Sequence, residues 1–246
     1  MTDDHEDFLQ ERARRIASYA TDETIKSASD GFLQESLRRR YSYNFDWLGL
    51  PIIQYPQDMA ALQEIIWRRR PDLIVETGVA RGGSLIFYAS LLELLGEEGS
   101  AVLGIDVDLR AHNRRRILQH PLAHRVKLLD GSSIDAKTIA QVAEHSTGKR
   151  SVMVILDSNH TGDHVRAELE AYTPLVQPGG YCVVFDTVIE LMPAGFYADR
   201  PWDRGDNPMT AVEAFLAAHP EWAVDRDMDN KLLVTAARSG YLRRRD

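Results

Sequence analysis

A single cysteine, Cys182, stands among 246 residues, so the chain cannot close an internal disulfide. It lies in the apolar run Tyr181-Cys182-Val183-Val184, which predicts a core position rather than a nucleophile. Long apolar runs are missing as well: none approaches the ~20 residues that a membrane helix needs, so no membrane span is expected. The opening stretch, Met1-Thr2-Asp3-Asp4-His5-Glu6-Asp7, is acidic and polar, unlike a secretory leader, and predicts a cytoplasmic protein. There is no excess of positive charge either. With 29 basic against 37 acidic residues the net charge is −8, spread along the chain. That argues against nucleic acid or an anionic membrane as partner and leaves small molecules. Internal repeats and low-complexity segments are also absent.

What is present is organised around Val75-Glu76-Thr77-Gly78-Val79-Ala80-Arg81-Gly82-Gly83-Ser84. The apolar Leu73-Ile74-Val75 runs into a carboxylate, a glycine turn, and a Gly-Gly-Ser that opens the apolar Leu85-Ile86-Phe87-Tyr88-Ala89. This reads as strand, tight turn, helix. Glycines let such a turn take positive φ and bring backbone N–H groups near a ligand, at a helix N-terminus that favours negative charge. The acid sits before the first glycine, unlike the Gly-x-Gly-x-x-Gly of dinucleotide sites. An acid there suits a cationic group, and S-adenosylmethionine, with its ammonium, sulfonium and carboxylate, carries the matching charges.

Around this turn, apolar strands alternate with amphipathic helices. Strands are expected at 73–77, 102–106, 125–129, 152–157 and 181–186, and helices at 83–95, 109–118, 134–145 and 161–175. The alternation predicts an α/β, doubly wound, mostly parallel sheet, and the continuous Val152-Met153-Val154-Ile155-Leu156 suits a strand covered on both faces. Residues 3–40 carry two helical stripes, 41–55 read as an ordered aromatic loop, and 58–69 as a helix stopped by Pro71. Phe45, Trp47 and Ile52 are expected to anchor this extension, with Tyr43, Trp47 or Tyr55 as candidate pocket walls. The division is 1–56 for the helical extension and 57–246 for the main domain. After a long polar connection at 187–208, a helix at 209–218 and a hairpin of 222–224 with 232–235 complete the chain. The arginine triplets at 38–40, 68–70, 114–116 and 243–245 read as solvated helix ends.

Five strands end in or beside an acid: Glu76, Asp106, Asp130, Asp157 and Asp186. In an open α/β sheet the ligand lies beyond these carboxyl ends. Clustered acids are unfavourable unless a cation or a hydroxyl-rich ligand joins them. Asp106 is placed to accept ribose hydroxyls, and Asp130 with Ser132 to meet an adenine edge or, for Asp130, to cap a helix. Asp157 and Asp186 make a sparse oxygen site for Mg²⁺, and His160 is then the nearby base. The candidate cofactor set is Glu76, Thr77, Gly78, Arg81, Gly82, Ser84, Asp106, Asp130, Ser132 and Asp157.

Taken together, residues 52–58, 76–84, 104–108, 156–161, 184–187 and 207–212 resemble the cephalosporin hydroxylase-type family of metal- and S-adenosylmethionine-dependent O-methyltransferases. That group includes relatives acting on macrolide sugars and rhamnosyl lipids. The resemblance implies a Rossmann-like methyltransferase sheet, a small-molecule acceptor bearing a sugar hydroxyl, Asp157 and Asp186 at the metal, and His160 as base. Relatives tend to be oligomers, and the charged N-terminal helices are candidate contacts of a homo-oligomer. One departure stands out. Where some relatives carry Glu-Asp at the fifth strand end, this chain has Phe185-Asp186, so either Asp157 and Asp186 hold the ion with waters and substrate oxygens, or Thr187 or Glu190 helps, or the site is weak. Two alternatives follow: a non-heme iron hydroxylase built on Asp157, His160 and His164, and a non-catalytic homologue that only binds the cofactor.

Overall fold

Apolar strands that alternate with half-apolar helices bury best when the strands lie side by side and the helices cover both faces. The computed structural model describes residues 4–246; the first three residues of the acidic, polar opening lie outside these. Helices α1 (Asp4–Tyr19) and α2 (Glu23–Arg38) are the two expected at the start. Asp22 caps the second by accepting from the N–H groups of Thr24 and Ile25. The aromatic stretch is more regular than a loop. It holds a 3-10 turn at Tyr41–Asn44 and a hairpin of β1 (Phe45–Trp47) and β2 (Leu50–Ile52). Leu48 and Gly49 turn it with φ of +45° and +89°, and a leucine in a place usually held by asparagine or glycine concealed the hairpin. Trp47 packs edge-on against Phe87 at 5.0 Å and donates to Ser90 Oγ, so this segment is anchored on the core as its aromatics predict.

The main sheet follows: α3 (Pro56–Arg69), β3 (Leu73–Thr77), α4 (Gly83–Leu95), β4 (Ala101–Asp106), α5 (Ala111–Leu118), β5 (Val126–Asp130) and α6 (Ala136–Ser146). Then come β6 (Val152–Leu156), α7 (Gly162–Tyr172), β7 (Tyr181–Val184), α8 (Pro208–Ala218), β8 (Trp222–Val224), α9 (Arg226–Leu232) and β9 (Tyr241–Arg244). The strand order is β5-β4-β3-β6-β7-β9-β8. The first five are parallel, and β9 runs antiparallel to both β7 and β8. Alternate residues of each strand feed opposite faces. Ile74, Met153 and Ile155 pack with α3 and α4, whereas Val75, Leu103 and Val154 pack with α7 and α8. Cys182 is fully buried, as its neighbours predict.

The closing antiparallel pair is present, but its second strand is β9 rather than 232–235. Asp225 accepts from the Met228 N–H and starts α9 there, and Thr235 is drawn off to Asp58. Arg243 and Arg244 consequently belong to a strand, not to a helix end.

The switch point of the winding lies between β3 and β6, and there the backbones nearly touch. A Cβ on Gly78, whose φ is +87°, would sit 2.0 Å from the carbonyl oxygen of Asp157. Gly78→Ala is therefore expected to lower stability by about 2–5 kcal/mol, since both the left-handed backbone and the contact forbid a methyl group. Urea denaturation checks this, and a change under about 1 kcal/mol would show that the turn can shift aside.

Candidate active site

Parallel strands share a direction, so the carboxyl ends of β3, β4, β6 and β7 open on one edge. A cavity of about 1310 Å³ lies beyond it. Small-molecule pockets commonly enclose about 300–1,000 Å³, so this one has room for a cofactor and an acceptor side by side. Gly78, Arg81, Gly82, Ser84, Asp106, Ser132 and Asp157 all line it.

The other three expected cofactor residues stand elsewhere. Thr77 is buried beneath the turn, where its carbonyl accepts from the Asp157 N–H at 3.0 Å. Asp130 needs correction on both of its readings. It is two-thirds exposed and ion-paired with Arg114, it does not line the cavity, and Asp135 rather than Asp130 sits at the start of α6. The neighbouring Ser132 and Ser133 line the wall instead. Glu76 is fully buried directly behind Ser84, whose hydroxyl donates to its Oε2 at 2.7 Å. Loss of water pushes its carboxyl up to about 8, against the Ser84 hydrogen bond that favours the charge. Its Oε1 is buried without a hydrogen-bond partner. An orphaned carboxylate oxygen at this point fits a cationic ligand group.

Asp106 is already engaged. Its Oδ2 accepts from the N–H groups of Val79 and Ala80 at 2.9 and 3.1 Å, and its Oδ1 from that of Asp108 at 2.9 Å. A carboxylate offers about four acceptor sites, so room for a ribose hydroxyl remains, but its first task is to hold the glycine turn. Ala80 lies there at φ +47°, a left-handed conformation that these bonds sustain.

On the far side of the switch point, Asp157, His160 and Asp186 bring one ligand atom each within 4.8 Å of one another. His160 Nε2 lies 3.1 Å from Asp186 Oδ2. Burial, reinforced by the charge of Asp186, raises the Asp157 carboxyl well above the usual carboxylate range. Asp186 itself is held at φ +56° as the chain leaves β7. Two acids and an imidazole, with Asp157 disfavoured as a charge by burial and by Asp186, form a donor set that suits a divalent cation. The cluster includes His160 besides the two acids expected.

The substitutes for the missing acid are not part of it. Thr187 turns its hydroxyl to the Ala236 carbonyl, and Glu190 accepts from Gly205 N–H and Asn207 Nδ2 at 2.8 and 2.6 Å.

Residues 39–245 match the family described as Rhamnosyl O-methyltransferase/CmcI. The chain belongs to this family. The rhamnosyl O-methyltransferase of Mycobacterium bovis (strain BCG / Pasteur 1173P2) is 31% identical over 243 residues, covering 93% of this chain and 91% of that protein. The Mycobacterium leprae (strain TN) rhamnosyl O-methyltransferase is 26% identical over 219 residues, covering 87% and 91%. An apo structure of CmcI superposes with a TM-score of 0.60 at 26% identity, over 83% of this chain and 77% of that one. A CmcI structure described with Mg and SAM gives 0.59 at 24% over 83% and 78%, and shows the same fold.

As a member of the rhamnosyl O-methyltransferase/CmcI family the chain is an S-adenosylmethionine-dependent O-methyltransferase. An iron site using both histidines is not assembled. His164 Nε2 faces Ser133 Oγ at 3.0 Å, Ser158 Oγ at 3.3 Å and Glu168 at 3.5 Å, away from the cluster.

In this family member the long connection folds back over the cavity. Trp202 meets the His160 ring edge-on at 4.8 Å, and Arg200 lies over Trp202 at 5.6 Å. Asn207 is buried as the cap of α8. Tyr43 and Tyr55 line the cavity, whereas Trp47 does not. Sequence reading missed Arg38 and Arg40, which also line it. Their position just ahead of the aromatic stretch was the only signal available. Among the described residues no helix is long and apolar enough to cross a membrane.

Proposed function

We propose that this protein transfers the methyl group of S-adenosylmethionine to a hydroxyl of a sugar or glycosylated natural product, with a divalent cation, Mg²⁺, at Asp157 and Asp186 and His160 beside it as the base. The observation that carries this reading is the convergence of those three side chains on the same cavity as the glycine turn. The names of the family and of its mycobacterial relatives support a sugar hydroxyl as acceptor.

The residues divide the work. Glu76 and Ser84 offer negative charge and a hydroxyl toward the amino-acid end of the cofactor, and the 78–82 turn approaches it with backbone. Ser132 and Asp106 flank its nucleoside. Asp157 and Asp186 would hold the divalent cation, which when bound would orient the acceptor hydroxyl and make it more acidic. His160 takes the hydroxyl proton, and the Asp186 carboxylate beside it stabilises the resulting imidazolium. Trp202 fixes the plane of that ring. Aligning oxygen, methyl carbon and sulfur in line is the main contribution of the cavity, a positioning effect worth up to about 7–11 kcal/mol in well-oriented reactions.

Chelation tests the cation. Methyl transfer to rhamnosides is expected to fall to background in EDTA and to return when Mg²⁺ is added in excess; a rate indifferent to EDTA removes the cation from the scheme. Calorimetry with S-adenosylhomocysteine tests the cofactor separately. Binding without transfer to any sugar would favour the non-catalytic homologue.

A further inference from the structure

Asp58 lies in the 52–58 motif, to which the scheme above assigns no role. It is fully buried on α3. Its carboxylate accepts three hydrogen bonds, all from one short segment near the C-terminus: the Thr235 hydroxyl, the Ala236 N–H at 2.9 Å and the Tyr241 hydroxyl at 2.7 Å. The other side of that segment faces the cluster. The Ala236 carbonyl accepts from the Val188 N–H at 3.3 Å and the Thr187 hydroxyl at 3.4 Å, immediately after Asp186. Close by, the Gly240 N–H neighbourhood is pressed so tightly to the end of β7 that a Cβ on Gly240 would lie 2.1 Å from the Val184 carbonyl oxygen.

Asp186 needs such support. It adopts a left-handed conformation, which for a residue other than glycine persists only when its surroundings enforce it. The preceding Phe185 N–H is held by the Leu156 carbonyl at 2.9 Å, and the Ala236 carbonyl holds the following two residues. We infer that Asp58 is a positioning residue: through Thr235 and Ala236 it sets the 187–188 backbone and thereby the direction of the Asp186 carboxylate. This rests on the reading of Asp186 as a cation ligand. It also gives the 52–58 motif a purpose that its distance along the chain conceals, because the carboxylate acts through a backbone segment 178 residues away.

The test uses Mn²⁺ as the probe and the full chain as it stands. In Asp58→Asn one acceptor oxygen becomes a donor NH2, so the side chain keeps its size but cannot accept from the Ala236 N–H and from the Thr235 and Tyr241 hydroxyls together. The Mn²⁺ dissociation constant, read by calorimetry, is expected to rise about tenfold, the scale on which groups supporting a metal ligand act, while the S-adenosylhomocysteine constant moves less than about twofold. Thr235→Val and Thr187→Val interrupt the same path more gently, and each is expected to weaken Mn²⁺ in the same selective way. These two decide the matter if Asp58→Asn does not fold. Unchanged Mn²⁺ affinity in the folded variants, or equal losses for both ligands, overturns the inference. A wild-type chain that takes up no Mn²⁺ overturns the cation reading itself, and does so before any variant is compared.

Discussion

Replacing Asp157 by asparagine is expected to stop methyl transfer while making the cation-free protein more stable. The loss of activity should reach about 10²–10³ in kcat or more, the scale of removing one preorganised electrostatic contact at a reacting centre. The gain in stability follows from the sign of its titration. Burial and the Asp186 charge raise this carboxyl in the folded state. The folded chain therefore holds the proton more tightly than the unfolded one, and stability is lost as pH rises from the ordinary carboxylate range toward the raised value. Asparagine removes that penalty. The variant should melt higher than wild type in EDTA, with a difference that widens as pH rises above the ordinary carboxylate range, at about 2–4 °C per kcal/mol for a chain of this size. Glu76, lifted from 4.5 to about 8 by burial, imposes a parallel slope that remains in the variant. Mg²⁺ should raise the wild-type melting temperature most at high pH and the variant's hardly at all. Identical melting curves for the two proteins in EDTA would show that the acids do not burden the fold.

The second large effect is that of His160→Ala. As the base, His160 should contribute about 10²–10⁴ to kcat. Its ring nitrogen is also within reach of the cation position, and the two roles separate by measurement. A base lost without a ligand lowers kcat at saturating Mg²⁺ and leaves the Mg²⁺ half-saturation point in place. A lost ligand raises that point, and excess Mg²⁺ then restores part of the rate. An unaltered rate at every Mg²⁺ concentration would strip the histidine of both roles.

The iron alternative fails on geometry that spacing alone could not reveal. His160 and His164 are one helical turn apart and looked equally available. The α7 start separates them: His160 precedes the helix and falls toward Asp186, while His164 on the helix turns to Ser133, Ser158 and the buried Glu168. Phe185 has a similar lesson. Where some relatives carry an acid, an apolar ring is packed into the core, and the side chain that lies beside Asp157 and Asp186 is His160 rather than Thr187 or Glu190.

The five parallel strands, the helices between them and the glycine turn were legible in the chain because each is a local property, whereas the β1–β2 hairpin, α9 and β9 were not. Apolar period, a glycine that alone accepts φ near +87° against a neighbouring backbone, and acids at the ends of apolar runs are all written within a few residues of one another. Tertiary structure alone decided which acids meet. Asp130 went to Arg114, Glu76 behind Ser84, Asp157 to Asp186, and Asp58 to the far end of the chain. Those pairings span from 8 to 178 positions, charge, burial and backbone strain compete in each, and no period in the sequence records the outcome.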